Sequence, residues 1–104
     1  MKPVYLSFTN DEGEKTQTFV TSSIKTGLVD KIIDLTIKAA EIESGSEKLT
    51  GVADFIRGIK AVVLEAYKYK FSLDELNENV EQEDLLQCFK ELSAAIAGNN
   101  TKNT

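Results

Sequence analysis

The chain contains no histidine and a single cysteine, Cys88. The first absence removes His-based metal motifs, catalytic triads and imidazole general bases together. One thiol excludes an internal disulfide and any cysteine-rich zinc site. Cys88 stands in a helical pattern beside Phe89, the setting of a small core or boundary residue. Long apolar runs are missing too, and none approaches the roughly 20 residues that span a bilayer. The opening MKPVYLSF lacks the apolar stretch and small-residue cleavage site of a signal peptide. No membrane partner is expected, and a cytoplasmic location is. There is no glycine-rich phosphate loop ending in Lys-Ser or Lys-Thr, and no calcium loop. The carboxylates fall on solvated helix faces rather than in pairs set for acid–base work. The sequence therefore predicts no cofactor, no metal and no enzymatic activity.

What is present is a chain of 104 residues, the length of one domain, with an ordinary hydrophobic fraction of 41%. A chain of this size buries roughly 60% or more of its unfolded surface, enough for one modest core. The formal net charge is −5. That disfavours the attraction to phosphates on which nucleic-acid binders rely. The charges are uneven. Arg57, Lys60, Lys68 and Lys70 follow one helix, whereas Asp74, Glu75, Glu78, Glu81, Glu83, Asp84 and Glu91 crowd the last third against Lys90. Either these are two solvated faces, or the basic face of one subunit meets the acidic face of the next.

Val4, Leu6 and Phe8 alternate with Tyr5 and Ser7, the period of a strand. Asn10-Asp11-Glu12-Gly13 is rich in turn formers, and Lys15 to Val20 offers a second strand. A hairpin over residues 3–20 follows, and because an isolated hairpin is marginal it must lie on the helices or pair with another chain. Helices are predicted at about 28–43, 52–70, 73–79 and 81–97, with a polar loop around residues 43–51 and Thr50 as a cap. Gly98 reads as a C-cap and residues 98–104 as a disordered tail. The fold class is mostly α with a small N-terminal β-hairpin, about four helices around a long central one.

The first helix is apolar over an unusually broad arc. Leu28, Ile32, Leu35, Ala39 and Ile42 form one stripe, and Val29, Ile33, Ile37 and Ala40 another beside it. A helix serving one core needs a stripe about 100° wide. The excess either packs under neighbouring elements or is left for a partner. On the central helix Val52, Phe55, Ile56, Ile59, Val63, Ala66 and Tyr67 share one face. Gly58 costs that helix about 1 kcal/mol against alanine and allows something to approach closely. Then comes a structural corner. Ser72 can cap the next helix, Glu75 completes a capping box, and Phe71 with Leu76 supplies a hydrophobic staple. Ser72-Leu73 is not a carrier-protein attachment string, because Phe71 stands where that string has aspartate.

The order of these parts, with the string ADFIRGIKAVVLEAYKYKFSLDELNENV and an acidic closing helix, resembles the tail assembly chaperones of long-tailed (siphovirus-type) bacteriophages of Gram-positive bacteria. The likeness covers most of residues 1–97 and is clearest from Phe55 to Leu76. It lies in helices and spacing, without an invariant contact motif. The resemblance implies a non-catalytic protein of the infected host's cytoplasm, absent from the mature virion, that binds and solubilises the phage tape measure protein. It implies homo-oligomers, a frameshifted longer form of the same chain, and later displacement by the tail tube protein.

The residues expected to meet client or neighbour are Val29, Ile33, Ile37 and Ala40, with Tyr67 and Tyr69 at the rim. A different reading is a small acidic regulator that binds a host or phage DNA-binding protein, its last third imitating a row of phosphates.

Overall fold

The computed structural model describes residues 1–45 and 49–102, with side chains for residues 1–45 and 51–98. Two strands, β1 (Val4–Thr9) and β2 (Lys15–Thr21), precede four helices: α1 (Thr26–Glu43), α2 (Leu49–Ala66), α3 (Leu73–Asn79) and α4 (Gln82–Lys102). The protein is mostly helical with a small antiparallel hairpin at its N-terminus.

The alternation in β1 sorts its side chains. Val4, Leu6 and Phe8 are buried, while Tyr5 points to solvent. In the ladder Leu6 faces Phe19 and Phe8 faces Gln17, but Thr9 faces Lys15. Thr16 is therefore an extra residue, a bulge at the start of β2. The turn is built by Asn10. Its side-chain oxygen accepts from the amides of Glu12 (2.9 Å) and Glu14 (3.0 Å), and Gly13 supplies the positive φ of 81°. Asn10 also donates to the Glu14 carboxylate at 3.2 Å, which together with Glu12 holds that carboxyl below its ordinary range.

β1 lies on α3 and α4, and one core runs under it. Phe8, Phe19, Tyr67 and Phe71 form an aromatic cluster, with Phe8–Phe19 and Phe19–Phe71 centroids both 4.8 Å apart. Below it lie Leu28 and Ile32 from α1, Ile59, Val62, Val63 and Ala66 from α2, and Leu85, Cys88, Phe89, Leu92 and Ile96 from α4. Gly58 marks the crossing of α1 and α2. A Cβ there would stand 2.8 Å from a terminal methyl of Leu35. The close approach is internal to the chain.

Several predicted boundaries differ: α1 begins at Thr26 and α2 at Leu49, two and three residues early, and two helix ends move further. α2 stops at Ala66 instead of continuing to Lys70. Lys68 and Tyr69 both take φ of 57°, and the Tyr69 amide donates back to Leu64 at 2.9 Å. This left-handed turn returns Phe71 to the core. α4 runs through Gly98 to Lys102, so residues 98–102 are helical rather than a tail, and residues 103–104 lie outside the description. Gly98 does not take a positive φ and does not act as a C-cap. Thr50 falls inside α2, and its side chain lies outside the description, as do residues 46–48 of the connecting loop.

The corner at the start of α3 forms as its sequence predicts. The Ser72 hydroxyl accepts from the Glu75 amide at 3.1 Å, and the Glu75 carboxylate accepts from the Ser72 amide at 3.0 Å. Phe71 and Leu76 are both buried on either side of the cap.

An apolar stripe and groove along α1

α1 divides its apolar residues by angle. Leu28 and Ile32 are buried and Leu35 is half-buried against α2. Val29 is half-buried and packs on the edge of the core. Beyond it the stripe comes out into solvent: Ile33 is 45% exposed, Ile37 57%, and Ala40 is exposed as well.

A groove opens beside this stripe, between α1 and α4, with α2 closing one end. Thr36, Ala39 and Ile42 form one wall, Leu86 and Phe89 the other, and Phe55 contributes from α2. It holds about 380 Å³. The Phe55 and Phe89 rings meet edge to face at 6.3 Å. Its polar side chains are turned inward on the protein. Thr36 donates to the Ile32 carbonyl at 2.9 Å, Ser93 donates to the Phe89 carbonyl at 3.0 Å, and the two hydroxyls lie 3.4 Å apart. Glu43 and Lys90 stand on the rim. Ile33 and Ala40 are the i−3 and i+4 neighbours of Thr36, so the exposed stripe and the groove share a border. Together they make a surface suited to an apolar helical segment, with shape and burial as its means of recognition.

Tyr67 requires a correction. It was expected at a rim, but it is 1% exposed. Its hydroxyl donates to the Val4 carbonyl at 2.9 Å and sits 3.6 Å from the Cys88 sulfur. Burial pushes the Tyr67 hydroxyl well above its ordinary pKa, and pushes the Cys88 thiol up to about 11. Cys88 is thus a protonated core residue rather than a nucleophile. Tyr69 is 67% exposed, but at the other end of α1, beside a hollow lined by Ser23, Lys25, Leu28 and Lys68. Of the six candidate residues, Ile33, Ile37 and Ala40 form the exposed stripe, Val29 borders it, and the two tyrosines lie elsewhere.

The groove wall was not anticipated from sequence. Its signal is the pair of hydroxyl residues, Thr36 and Ser93, set into otherwise apolar helix faces. Among the described residues no group of three or more His, Cys, Asp or Glu is placed to hold a metal ion, and no helix is long and apolar enough to cross a membrane. The acidic residues Glu78, Glu81, Glu83 and Asp84 are exposed around the α3–α4 junction. Arg57 on α2 is tied to Asp54 at 2.6 Å in an exposed pair. No family model, curated protein or solved structure matches this chain.

Proposed function

We propose that this protein is a non-catalytic tail assembly chaperone of a bacteriophage, acting in the host cytoplasm on the tape measure protein. The observation that carries the reading is the exposure of Ile33 and Ile37 on the folded chain, next to an apolar groove. The order of elements and the Phe55–Leu76 string add the family resemblance. A long helical client made before its tube exists presents apolar stripes that aggregate. The α1 stripe and groove would cover one such stripe by helix-in-groove packing. Single contacts would be weak, and their repetition along the client by a self-associating chaperone would supply avidity. Weak contacts also allow the tail tube protein to displace the coat. The test is co-expression. The tape measure protein should be soluble with this chain and insoluble without it. A client that stays equally soluble alone ends the proposal.

A second reading, a small acidic regulator of a DNA-binding protein, draws on the exposed Glu78, Glu81 and Glu83. Reversing those three charges should abolish such an activity. A chaperone working through α1 tolerates the reversal.

A further inference from the structure

The β-hairpin is covered unequally. β1 buries Val4, Leu6 and Phe8 on the helices. β2 hangs beyond the helical layer, with Lys15 to Thr18 and Val20 exposed, Phe19 half-buried and Thr21 buried. β1 occupies one edge of β2. Along the other edge, every second residue directs its N–H and C=O away from β1. Strand edges of this kind are usually blunted by charge, proline or a bulge. Here the bulge at Thr16 and the charge of Lys15 protect only the beginning. From Gln17 to Thr21 the strand has no charge and no proline.

We infer that this open edge pairs with β2 of a second copy, antiparallel about a two-fold axis at Phe19, to give a four-stranded sheet. The inference takes up the self-association in the reading above and rests on it only to that extent. Three features select this occupant and this register. With Phe19 on the axis, Gln17 meets Thr21 of the second copy and Thr18 meets Val20, so inward residues oppose inward residues and outward oppose outward. The two Phe19 rings then stand across from each other. That extends the Phe8–Phe19–Phe71 cluster through the junction and covers the part of Phe19 left in water. Charges match at both ends as well. The register sets Lys15 opposite Ser23 of the second copy, Glu14 opposite Ile24 and Glu12 opposite Thr26, so the two acids of the turn come to the connector where Ser23, Lys25 and Lys68 line one hollow. Lys68 approaches the Ser23 hydroxyl at 3.4 Å. A foreign strand could use the open backbone, but it would have no reason to match both ends.

Sedimentation equilibrium on the full chain tests this. The wild type should dimerise. The pair Thr18→Lys with Val20→Lys places lysine against lysine twice across the axis and should weaken dimerisation by about tenfold or more. Thr18→Glu with Val20→Glu should do the same. An equimolar mixture of the two should dimerise again, each lysine now facing a glutamate. Circular dichroism verifies that both double variants fold. Lys25→Glu, outside the ladder and at the start of a helix where an acid is favourable, should also weaken the dimer.

A monomeric wild type at every concentration overturns the inference. So do double variants that keep the wild-type mass, or a mixture that stays monomeric. The client co-expression assay reads separately: a dimer that fails to solubilise the client refutes the chaperone proposal and leaves the pairing standing.

Discussion

The Tyr67 hydroxyl and the Val4 carbonyl, 63 residues apart in sequence, meet in a buried hydrogen bond of 2.9 Å. This bond fastens the end of α2 to the first residue of β1, so the hairpin is anchored by more than its apolar face. Removing the donor leaves a buried carbonyl without it. Tyr67→Phe should therefore cost about 1–3 kcal/mol, since an unmet buried acceptor loses the full desolvation energy. Urea denaturation should show a lower midpoint with an unchanged slope, because the same surface is exposed on unfolding.

The same pair of side chains sets an alkaline limit. Burial raises the pKa of the Cys88 thiol from 9.0 to about 11, and raises that of the neighbouring Tyr67 hydroxyl above its ordinary 10.0. Both groups are neutral when protonated. In the unfolded chain they lose protons first, so above those ordinary values the unfolded state holds fewer protons than the native one. Stability then falls as pH rises. It should be level with respect to these groups below about pH 9 and decline progressively as pH climbs through 9 and 10. Chemical denaturation at stepped pH measures the slope. Tyr67→Phe should remove the tyrosine share of the decline while keeping that of Cys88.

At the corner, Ser72 and Glu75 satisfy one another's amides at 3.1 and 3.0 Å. Ser72→Ala should cost about 1 kcal/mol, within a usual range of roughly 0.5–2 for caps. For a domain of about this size that lowers the melting temperature by roughly 4–8 °C per kcal/mol. Ser72→Asp, which keeps an acceptor at the cap, should recover most of the loss. A thermal melt of the three proteins settles the order.

Left-handed backbone is expensive for residues with a Cβ. Lys68 and Tyr69 hold φ of 57° consecutively, with no glycine in the turn. Each such residue costs on the order of 1–2 kcal/mol. Tyr69 is well exposed, so replacing it removes little packing. Tyr69→Gly should stabilise the protein by up to about 1 kcal/mol, the relief of strain being offset in part by the greater freedom of glycine when unfolded. An unchanged or lower denaturation midpoint would show that the tyrosine ring contributes contacts that compensate for the backbone.

The parts legible from sequence were those written locally. The strand alternation at Val4, Leu6 and Phe8, the Ser72–Glu75 box and the span of α3 need only neighbours a few residues away. The misplaced boundaries are the converse. At Lys68 and Tyr69 a left-handed turn occurs without glycine, and at Gly98 a glycine stands where no turn occurs. At Lys68 and Tyr69 tertiary packing overrides local propensity, Phe71 being drawn into the aromatic cluster, whereas at Gly98 the helix continues through an exposed glycine that touches nothing. Tyr67 has the period of a core residue and the polar tip of a rim residue, and the acceptor that resolves the ambiguity lies on a distant strand. The broad apolar arc of α1 was visible, but how it divides between core and solvent depends on where α2 and α4 pack.

That division carries the functional proposal and is open to a direct contrast. Ile33 and Ile37 keep only about half of their surface covered, so changing both to aspartate should cost on the order of 1–2 kcal/mol per site, from the apolar area lost, and leave the chain folded. The same change sets two charges against any apolar helix brought to the stripe, where burying an unpaired charge is strongly unfavourable. Ile33→Asp with Ile37→Asp should therefore fold and lose the ability to keep the tape measure protein in solution. The triple reversal Glu78→Lys, Glu81→Lys and Glu83→Lys should fold and keep it. An acidic regulator predicts the opposite pairing, with activity lost on charge reversal and retained in the aspartate variant. If both variants solubilise the client as well as wild type, neither surface is the contact. Recognition would then have to be sought inside the groove, where Phe55→Ala and Phe89→Ala are the next variants to assay.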